Sequence, residues 1–267
     1  MFTTKEATVL RQLCREFKST VADFPWEDEK TVIMGSVAAW RVCFPRAKWA
    51  NVNEWHEGRT TPLVDADFVH FVGLRRLNMM NCTSITDAAF VHLKGIHTLN
   101  MDICYQSSIT DAAFVHLKGV HTLDMWGCRQ PTITDAAFVH LKGIHTLKIA
   151  HCTQATITDA AFVHLKGIHT LKMWQCSQAT ITDATFDHLK GIHSLSLYGC
   201  HQLTSAVFTH LKGVKRLNIG DCTQLTLTDD SLKGIEWLCM YGHSQVQVKE
   251  AGSLGYPVDQ RWTTYGV

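Results

Sequence analysis

Residues 133–147 read ITDAAFVHLKGIHTL, and residues 157–171 repeat the same fifteen letters without a change. Near-copies of this stretch begin at Ile85, Ile109 and Ile181. A catalytic site needs unlike residues at one place, whereas a structure built by stacking needs the same unit many times. The stretch therefore predicts a repeat protein.

The leucine that follows the histidine and threonine of this stretch sets the period of the repeat. It recurs at steps of 22, 24, 24, 24, 24, 22 and 21 residues. The eight positions are Leu77, Leu99, Leu123, Leu147, Leu171, Leu195, Leu217 and Leu238. A period of about 20–29 residues is typical of leucine-rich repeats.

One repeat contains two different periodicities. Leu147 and Ile149 alternate with polar residues, as in a half-buried strand, whereas Phe138, Leu141 and Ile144 recur every three residues, as in a short helix. A unit this narrow has no core of its own, so stacking must bury its apolar edge. We therefore expect an α/β leucine-rich-repeat solenoid with a curved parallel β-sheet on the concave face, short helices on the convex face and an N-terminal helical cap.

Residues at both ends of the helical stretch carry boundary signals. Thr134 or Asp135 is placed to cap the first turn by accepting backbone N–H groups. Gly143 is placed to end the helix by adopting a left-handed conformation. Both signals agree with the helix that the periodicity predicts.

Three regions are expected along the chain: a helical cap over 1–43, the solenoid over 44–245, and a C-terminal cap and tail over 246–267. In the first, apolar residues at helical spacing run up to Pro25, and a second helix is predicted over 28–44. An additional strand is expected before the eight obvious ones, because three small apolar residues follow the same spacing. They are Ala47, Ala50 and Val52.

One cysteine follows each of the first seven of the eight repeated leucines, with His243 in the eighth place, and a glutamine lies two residues after most of the cysteines. The cysteines are Cys82, Cys104, Cys128, Cys152, Cys176, Cys200 and Cys222. We expect reduced, buried thiols that donate to a carbonyl of the adjacent turn, since zinc sites use paired ligands such as C-x-x-C, which the sequence lacks. For the glutamines we predict a ladder in which each amide donates to the next.

Twelve of the 16 histidines form two columns. One column, beginning at His70, lies on the helical stretch, and the other, beginning at His97, directly precedes the strands. Identical neighbours about 5 Å apart would repel if charged, so we predict neutral histidines with lowered pKa values. The alternative is an enzyme or metal-binding protein that uses the histidine and cysteine columns, but unlike partners are missing. We predict no catalytic residue, metal ligand or cofactor.

The balance of charge restricts the class of partner. With 25 basic and 24 acidic residues the formal charge is +1, and no basic stripe favours nucleic acid. No stretch approaches the ~18 apolar residues of a membrane span, and the N-terminal residues lack the apolar run of a signal peptide. These observations predict a cytoplasmic or nuclear monomer that binds neither nucleic acid nor membrane.

The repeated pattern LxxLxLxxC followed by ITDAAF resembles the cysteine-containing repeats of the F-box and leucine-rich-repeat family over about residues 44–245. The stretch VLRQLCREFKSTV is similar to the last helix of an F-box, with Leu10, Leu13, Cys14 and Phe17 on its pattern. The resemblance implies that these four residues contact a Skp-type linker of a cullin ubiquitin ligase, while the repeats hold the substrate.

The strand positions between the buried leucines differ from repeat to repeat, and we expect their side chains to point to the concave face. Aromatic residues flanked by charges are typical of protein interfaces. The predicted partner-binding residues are Asp102, Asp124, Trp126, Lys148, Lys172, Trp174, Tyr198 and Tyr241. The sequence thus predicts a non-catalytic scaffold for a protein partner, with an F-box-like substrate-recognition subunit as its more specific form. The alternative is a face that tolerates drift, with aromatics filling the concavity.

Overall fold

The computed structural model describes residues 3–10, 15–54 and 61–242. The chain divides into two compact units, Met1–Thr132 and Ile133–Val267. Both contain the predicted repeat, a three-residue parallel strand followed by a turn and a short helical segment. None of the helices in the described ranges is long and apolar enough to cross a membrane.

The first unit begins with helices α1 (Thr4–Leu10), α2 (Arg15–Asp23) and α3 (Val37–Cys43). Its parallel strands are β1 (Trp49–Asn51), β2 (Arg76–Asn78), β3 (Thr98–Asn100) and β4 (Thr122–Asp124). Its helical turns are Asp65–Phe71, Asp87–Phe90 continued by Val91–Leu93, and Asp111–Phe114 continued by Val115–Leu117. Leu77 pairs with Leu99, and Ala50 of the predicted additional strand pairs with Leu77, which confirms that strand.

The second unit continues the same pattern. Its parallel strands are β5 (Thr146–Lys148), β6 (Thr170–Lys172), β7 (Ser194–Ser196), β8 (Arg216–Asn218) and β9 (Trp237–Cys239). Its helical turns are Asp135–Phe138 continued by Val139–Leu141, Asp159–Phe162 continued by Val163–Leu165, Asp183–Leu189 and Ser205–Thr209. Leu147 pairs with Leu171 and Leu171 with Leu195, so equivalent side chains are neighbours.

The core of each unit consists of these equivalent side chains in contact with one another. In the repeat quoted first, Phe138, Leu141, Ile144, Leu147 and Ile149 are all at most 2 % exposed. Burying one such side chain contributes about 1.5–3 kcal/mol to stability. The side chain is buried only because the neighbouring repeat packs against it. The predicted leucine-rich-repeat solenoid is confirmed.

The helical boundaries follow the predicted signals, with one distinction between the two candidate caps. The Thr134 hydroxyl accepts a hydrogen bond from the Ala136 N–H at 3.2 Å, so threonine is the N-cap. Asp135 instead accepts from the next repeat, as described below. Gly143 has φ +85° and ends the turn as predicted.

The N-terminal segment differs from its prediction in one helix. The second helix was expected over 28–44, but α3 begins only at Val37, after the Ser36 hydroxyl accepts from the Ala39 N–H. The residues before α3 are not helical. The Ile33 N–H donates instead to the Asn51 carbonyl, at 2.8 Å, along the edge of β1. This edge bond and the Ser36 cap favour a late start.

The role of residues 1–43 as a cap stays a prediction. The Arg41 guanidinium donates to the Val72 carbonyl at 2.6 Å, which links α3 to the first helical turn. Leu13, Cys14 and residues 246–267 lie outside the described residues. Leu10 and Phe17 fall within α1 and α2 by their backbone alone.

Candidate partner-binding surface on the strands

The cysteine column performs the predicted structural task. The Cys104 thiol lies 3.4 Å from the Met79 carbonyl, and the Cys176 thiol lies 2.8 Å from the Ile149 carbonyl, both in the preceding repeat. Burial raises the pKa of Cys104 to about 12 and raises that of Cys176 well above its ordinary value. A thiol with a raised pKa stays protonated at neutral pH, which agrees with its role as a donor to a backbone carbonyl.

The glutamine column corrects a prediction. The Gln106 amide nitrogen donates to the Cys82 carbonyl at 2.9 Å, and the Gln130 amide nitrogen donates to the Cys104 carbonyl at 3.0 Å. The predicted amide-to-amide ladder is therefore wrong at these positions. The reason is that the turn after each strand leaves a buried backbone carbonyl that needs a donor.

The histidines that precede the strands form ring stacks. His145 and His169, then His169 and His193, have ring centroids 4.5 Å apart and planes 12° apart. Burial, followed by the neighbouring His145 and His193, lowers the pKa of His169. Burial, followed by the neighbouring His121, also lowers the pKa of His97, so the predicted direction is confirmed at these two residues.

In each strand, the side chains that alternate with the buried leucine, or with Ala50 in β1, point to the other side of the sheet, and we call this surface the strand face of its unit. The first strand face consists of Trp49, Asn51, Asn53, Arg76, Asn78, Met80, Thr98, Asn100, Asp102, Thr122, Asp124 and Trp126. The second strand face consists of Thr146, Lys148, Ala150, Thr170, Lys172, Trp174, Ser194, Ser196, Tyr198, Arg216, Asn218, Gly220, Trp237, Cys239 and Tyr241.

On the first strand face, Asp102 and Trp126 are linked. One Asp102 carboxylate oxygen accepts from the backbone N–H of Trp126 at 2.8 Å, and the Asp102 N–H donates to the Asn100 side chain at 2.9 Å. These bonds hold Asp102 beside the half-buried Trp126. Asp124 is only 8 % exposed, so little of its side chain reaches the surface. Its partner in register on β3 is Asn100.

On the second strand face, the aromatic residues are held by specific contacts. The Lys172 ammonium lies 5.4 Å from the centroid of the Trp174 ring, a cation–π contact. The Trp174 indole N–H donates to the Ser196 hydroxyl. The Tyr198 ring covers Gly220 so closely that a Cβ there would lie 2.9 Å from Tyr198 Cδ2.

The rest of the second strand face ranges from buried to open. Burial raises the pKa of Tyr198, whereas Tyr241 is 54 % exposed. Ala150 is 2 % exposed and offers little surface. Lys148, Lys172, Trp174 and Tyr198 lie between these extremes and are half-buried.

One aromatic residue of this surface was missed by the sequence reasoning. Trp237 lies on the second strand face, with the Arg216 guanidinium 5.2 Å from its ring centroid. The sequence does contain a signal for Trp237. Side chains alternate along a strand, so the pattern that places Tyr241 on this face also places residue 237 there. Only the two later positions of each strand were counted as variable.

The two strand faces differ in charge. The first contains the carboxylates Asp102 and Asp124, and its one cation, Arg76, pairs with Glu29. The second contains three cations and no carboxylate among its fifteen positions; the cations are Lys148, Lys172 and Arg216. The two faces therefore offer different chemistry to a partner.

Comparisons with known proteins support the fold and no narrower assignment. No protein-family model matches the chain, and no curated protein matches it significantly. Among solved structures, the leucine-rich-repeat domain of the type III effector XopL is similar, with a TM-score of 0.53 at 15 % identity over 88 % of this chain and 81 % of that one.

Two further solved structures are also similar over part of their length. A TLR13–ssRNA13 complex gives a TM-score of 0.53 at 15 % identity over 78 % of this chain, and the Toll–Spatzle complex of Drosophila gives 0.58 at 10 % identity over 80 %. The chain spans only 34 % and 36 % of the length of those two chains. At such identities the likeness shows a shared fold, the leucine-rich-repeat solenoid.

Proposed function

We propose that this protein is a non-catalytic scaffold that binds a protein partner through its strand faces, the side predicted to be concave. The observation that carries the proposal is the set of aromatic residues held in place on the second strand face, where Lys172 and Ser196 orient Trp174. Aromatic side chains already fixed in one conformation lose little entropy on binding. They are also the residue type that dominates binding energy at protein interfaces.

The repeats themselves supply the rigidity that such a surface needs. The residues beneath the strand faces, such as Leu171 and Cys176, are fully buried and bonded to neighbouring repeats, so the surface above them is anchored. Repeat proteins use extended surfaces of this kind for binding. The raised pKa values of the buried thiols argue against the alternative, an enzyme or metal protein that uses the cysteine column.

The test compares two double variants in affinity purification from a cell lysate with quantitative mass spectrometry. Trp126→Ala with Trp174→Ala removes one aromatic from each strand face. Val115→Ala with Val163→Ala is the matched control, since these residues are 51 % and 48 % exposed on the helical side. We expect the tryptophan variant to lose protein partners that wild type and control retain. Partners that bind all three chains equally would contradict the proposal.

The more specific form of the proposal is an F-box-like substrate-recognition subunit of a ubiquitin ligase. It is supported by the sequence resemblance of residues 9–21, on which Leu10, Leu13, Cys14 and Phe17 would contact the Skp-type linker. Co-purification with a recombinant Skp-type linker, for wild type and for Leu10→Arg with Phe17→Arg, tests it. Failure of wild type to bind the linker would remove the ligase role and leave the scaffold role in place. The cytoplasmic or nuclear location and the monomeric state stay predictions.

A further inference from the structure

The helical side of the second unit contains one carboxylate held between a lysine and a histidine. The carboxylate belongs to Asp187, and its Oδ1 lies 2.7 Å from the Lys190 ammonium and 3.5 Å from Nδ1 of His210 in the next repeat. The hydrogen bond and charge of Lys190, followed by those of His210, lower the pKa of Asp187. The place between these two residues therefore favours a carboxylate in its charged form.

Two preceding repeats of this unit have the same lysine and histidine, but a valine where the acid would be. Their residues are Val139, Lys142 and His164, then Val163, Lys166 and His188. The two valines are 49 % and 48 % exposed, and the Asp187 side chain is 52 % exposed, so the three places are equally open to solvent. We call the two places that lack an acid the lysine–histidine sites.

The acids of the chain itself do not occupy these sites. Within the part of the chain that the structure describes, neither Lys142 nor Lys166 pairs with a carboxylate. The Asp159 carboxylate interacts with His188, but both of its oxygens accept hydrogen bonds from Thr182. Asp159 therefore favours a charged imidazole and leaves the site to an acid from another molecule.

One repeat separates the two lysine–histidine sites. The rings of Phe138 and Phe162, the residues directly before the two valines, have centroids 6.1 Å apart. Four residues of an α-helix rise about 6 Å, and residues i and i+4 lie on the same face of the helix. Two acidic residues at that spacing would therefore reach both sites at once.

From this arrangement we propose that the helical side of the second unit binds an acidic α-helix of a protein partner. The helix lies along the row of repeats. Two of its Asp or Glu residues, four positions apart, enter the lysine–histidine sites as Asp187 does in its own repeat. This surface is distinct from the strand faces, so the inference goes beyond the proposed scaffold function.

Two other classes of acidic ligand fit this side less well. An extended peptide is held by hydrogen bonds to a sheet edge, which the helical turns do not offer, and its alternate side chains are about 6.6 Å apart. A nucleic acid needs cations that follow successive phosphates, whereas Asp187 neutralises the next lysine of the row, Lys190. A helix needs no backbone partner, because its own turns satisfy its N–H and carbonyl groups.

The first experiment fills the two sites with acids of the chain itself. In the test variant, Val139→Asp with Val163→Asp, each new carboxylate takes the place that Asp187 has in its own repeat. The matched control, Ala155→Asp with Ala179→Asp, adds the same charge at exposed alanines of this unit. A phage-displayed library of a helical scaffold, randomised on one face, is selected against each purified full chain. Wild type and control should enrich Asp or Glu at positions i and i+4, and the test variant should not.

A synthetic helical peptide from the wild-type selection then gives the affinity by fluorescence anisotropy. We expect the test variant to bind it at least about tenfold more weakly, since both carboxylates lose their cations and meet like charges, while the control stays within about twofold. Lys142→Gln with Lys166→Gln should weaken binding in the same direction. Thermal melting establishes that each variant is folded.

The opposite change should create a site. Asp187→Val leaves Lys190 and His210 without their acid, so it should add a third lysine–histidine site to the row. A peptide with one more acidic residue, at i+8, should bind this variant at least about threefold more tightly than wild type. A gain of affinity cannot arise from damage to the fold, so an unchanged affinity would count against the proposed geometry.

Equal binding by the test variant, peptides without acidic pairs four positions apart, or no enriched peptide at all would overturn the inference. Acids enriched at alternate positions would replace the helix by an extended peptide, and tighter binding of single-stranded oligo-dT would replace it by nucleic acid. The Trp126→Ala, Trp174→Ala variant should bind the helical peptide as wild type does. Failure of the scaffold proposal and failure of this one are therefore distinguishable.

Discussion

Asp135 joins its own repeat to the next one through Thr158. One carboxylate oxygen accepts from the Thr158 backbone N–H and the other from the Thr158 hydroxyl, each at 2.7 Å. That same hydroxyl accepts from the Ala160 N–H at 3.1 Å, so a single threonine caps its own helical turn and binds the previous repeat. The link recurs between Asp87 and Thr110. It explains why threonine and aspartate are retained together in the quoted stretch.

Asp135→Ala should therefore destabilise the protein by about 2 kcal/mol, since it leaves two donors of Thr158 without their charged acceptor. The free energy of unfolding from urea denaturation measures the effect. The matched control is Asp187→Ala, which removes an exposed carboxylate paired with Lys190 at 2.7 Å. An exposed ion pair contributes at most about 1 kcal/mol, so equal losses at the two positions would disprove the link as a main source of stability.

Ile103 has φ +60°, a left-handed conformation that a β-branched residue adopts only under strain. Asn81 takes the same conformation, at φ +62°, before the preceding cysteine. Ile103→Asn should therefore stabilise the protein by about 1 kcal/mol, and Asn81→Ile should destabilise it by a similar amount. Thermal melting of the two variants beside wild type is the measurement. Shifts of the same sign would show that side-chain burial, rather than backbone conformation, decides stability at this position.

Much of the fold could be predicted because repetition makes the buried positions visible. Leu147 and Cys152 recur at fixed places, and a residue that packs against its equivalent in the next repeat can be retained in each. The start of α3 could not be predicted in the same way. It depends on a hydrogen bond between Ile33 and Asn51, which are 18 residues apart, and Ile33 lies before the first repeat.

The sequence could predict which residues lie on the strand faces, but not how exposed each side chain is. Alternation along the strands places Trp174 and Tyr198 on one face, but it does not show that Asp124 is nearly buried. That outcome depends on the size and conformation of the neighbouring side chains. The glutamine column shows the same limit, because the spacing of Gln106 from Cys82 indicates a neighbour and does not identify which atom accepts.

Gly220 allows the Tyr198 ring to lie across the second strand face. A Cβ at position 220 would lie 2.9 Å from Tyr198 Cδ2 and 3.2 Å from its Cε2, so Gly220→Ala must displace the ring. We expect a loss of about 1–3 kcal/mol of stability from this overpacking. In a double-mutant cycle, Tyr198→Ala should abolish most of the effect of Gly220→Ala. Additive effects would mean that the glycine acts on the backbone and not through the tyrosine.

We expect stability to depend on pH between 7 and 5 because of His169, the central residue of a histidine stack. The pKa of His169 is lowered in the folded chain by burial and by His145 and His193, so below the unfolded value of about 6.5 the unfolded chain binds more protons. Stability is thus fully present above that value and is lost as the pH falls through it. The melting temperature should drop from pH 7 to pH 5.

Substitution of the stack tests this cause. A triple change of His145, His169 and His193 to Gln should reduce the drop in melting temperature, because it removes His169 and the two imidazoles that stack on it. The same triple change at His140, His164 and His188, on the helical side, removes as many imidazoles and leaves the stack in place. We expect that control to keep most of the drop; if both triple variants behave alike, the stacked geometry is not the source of the pH dependence.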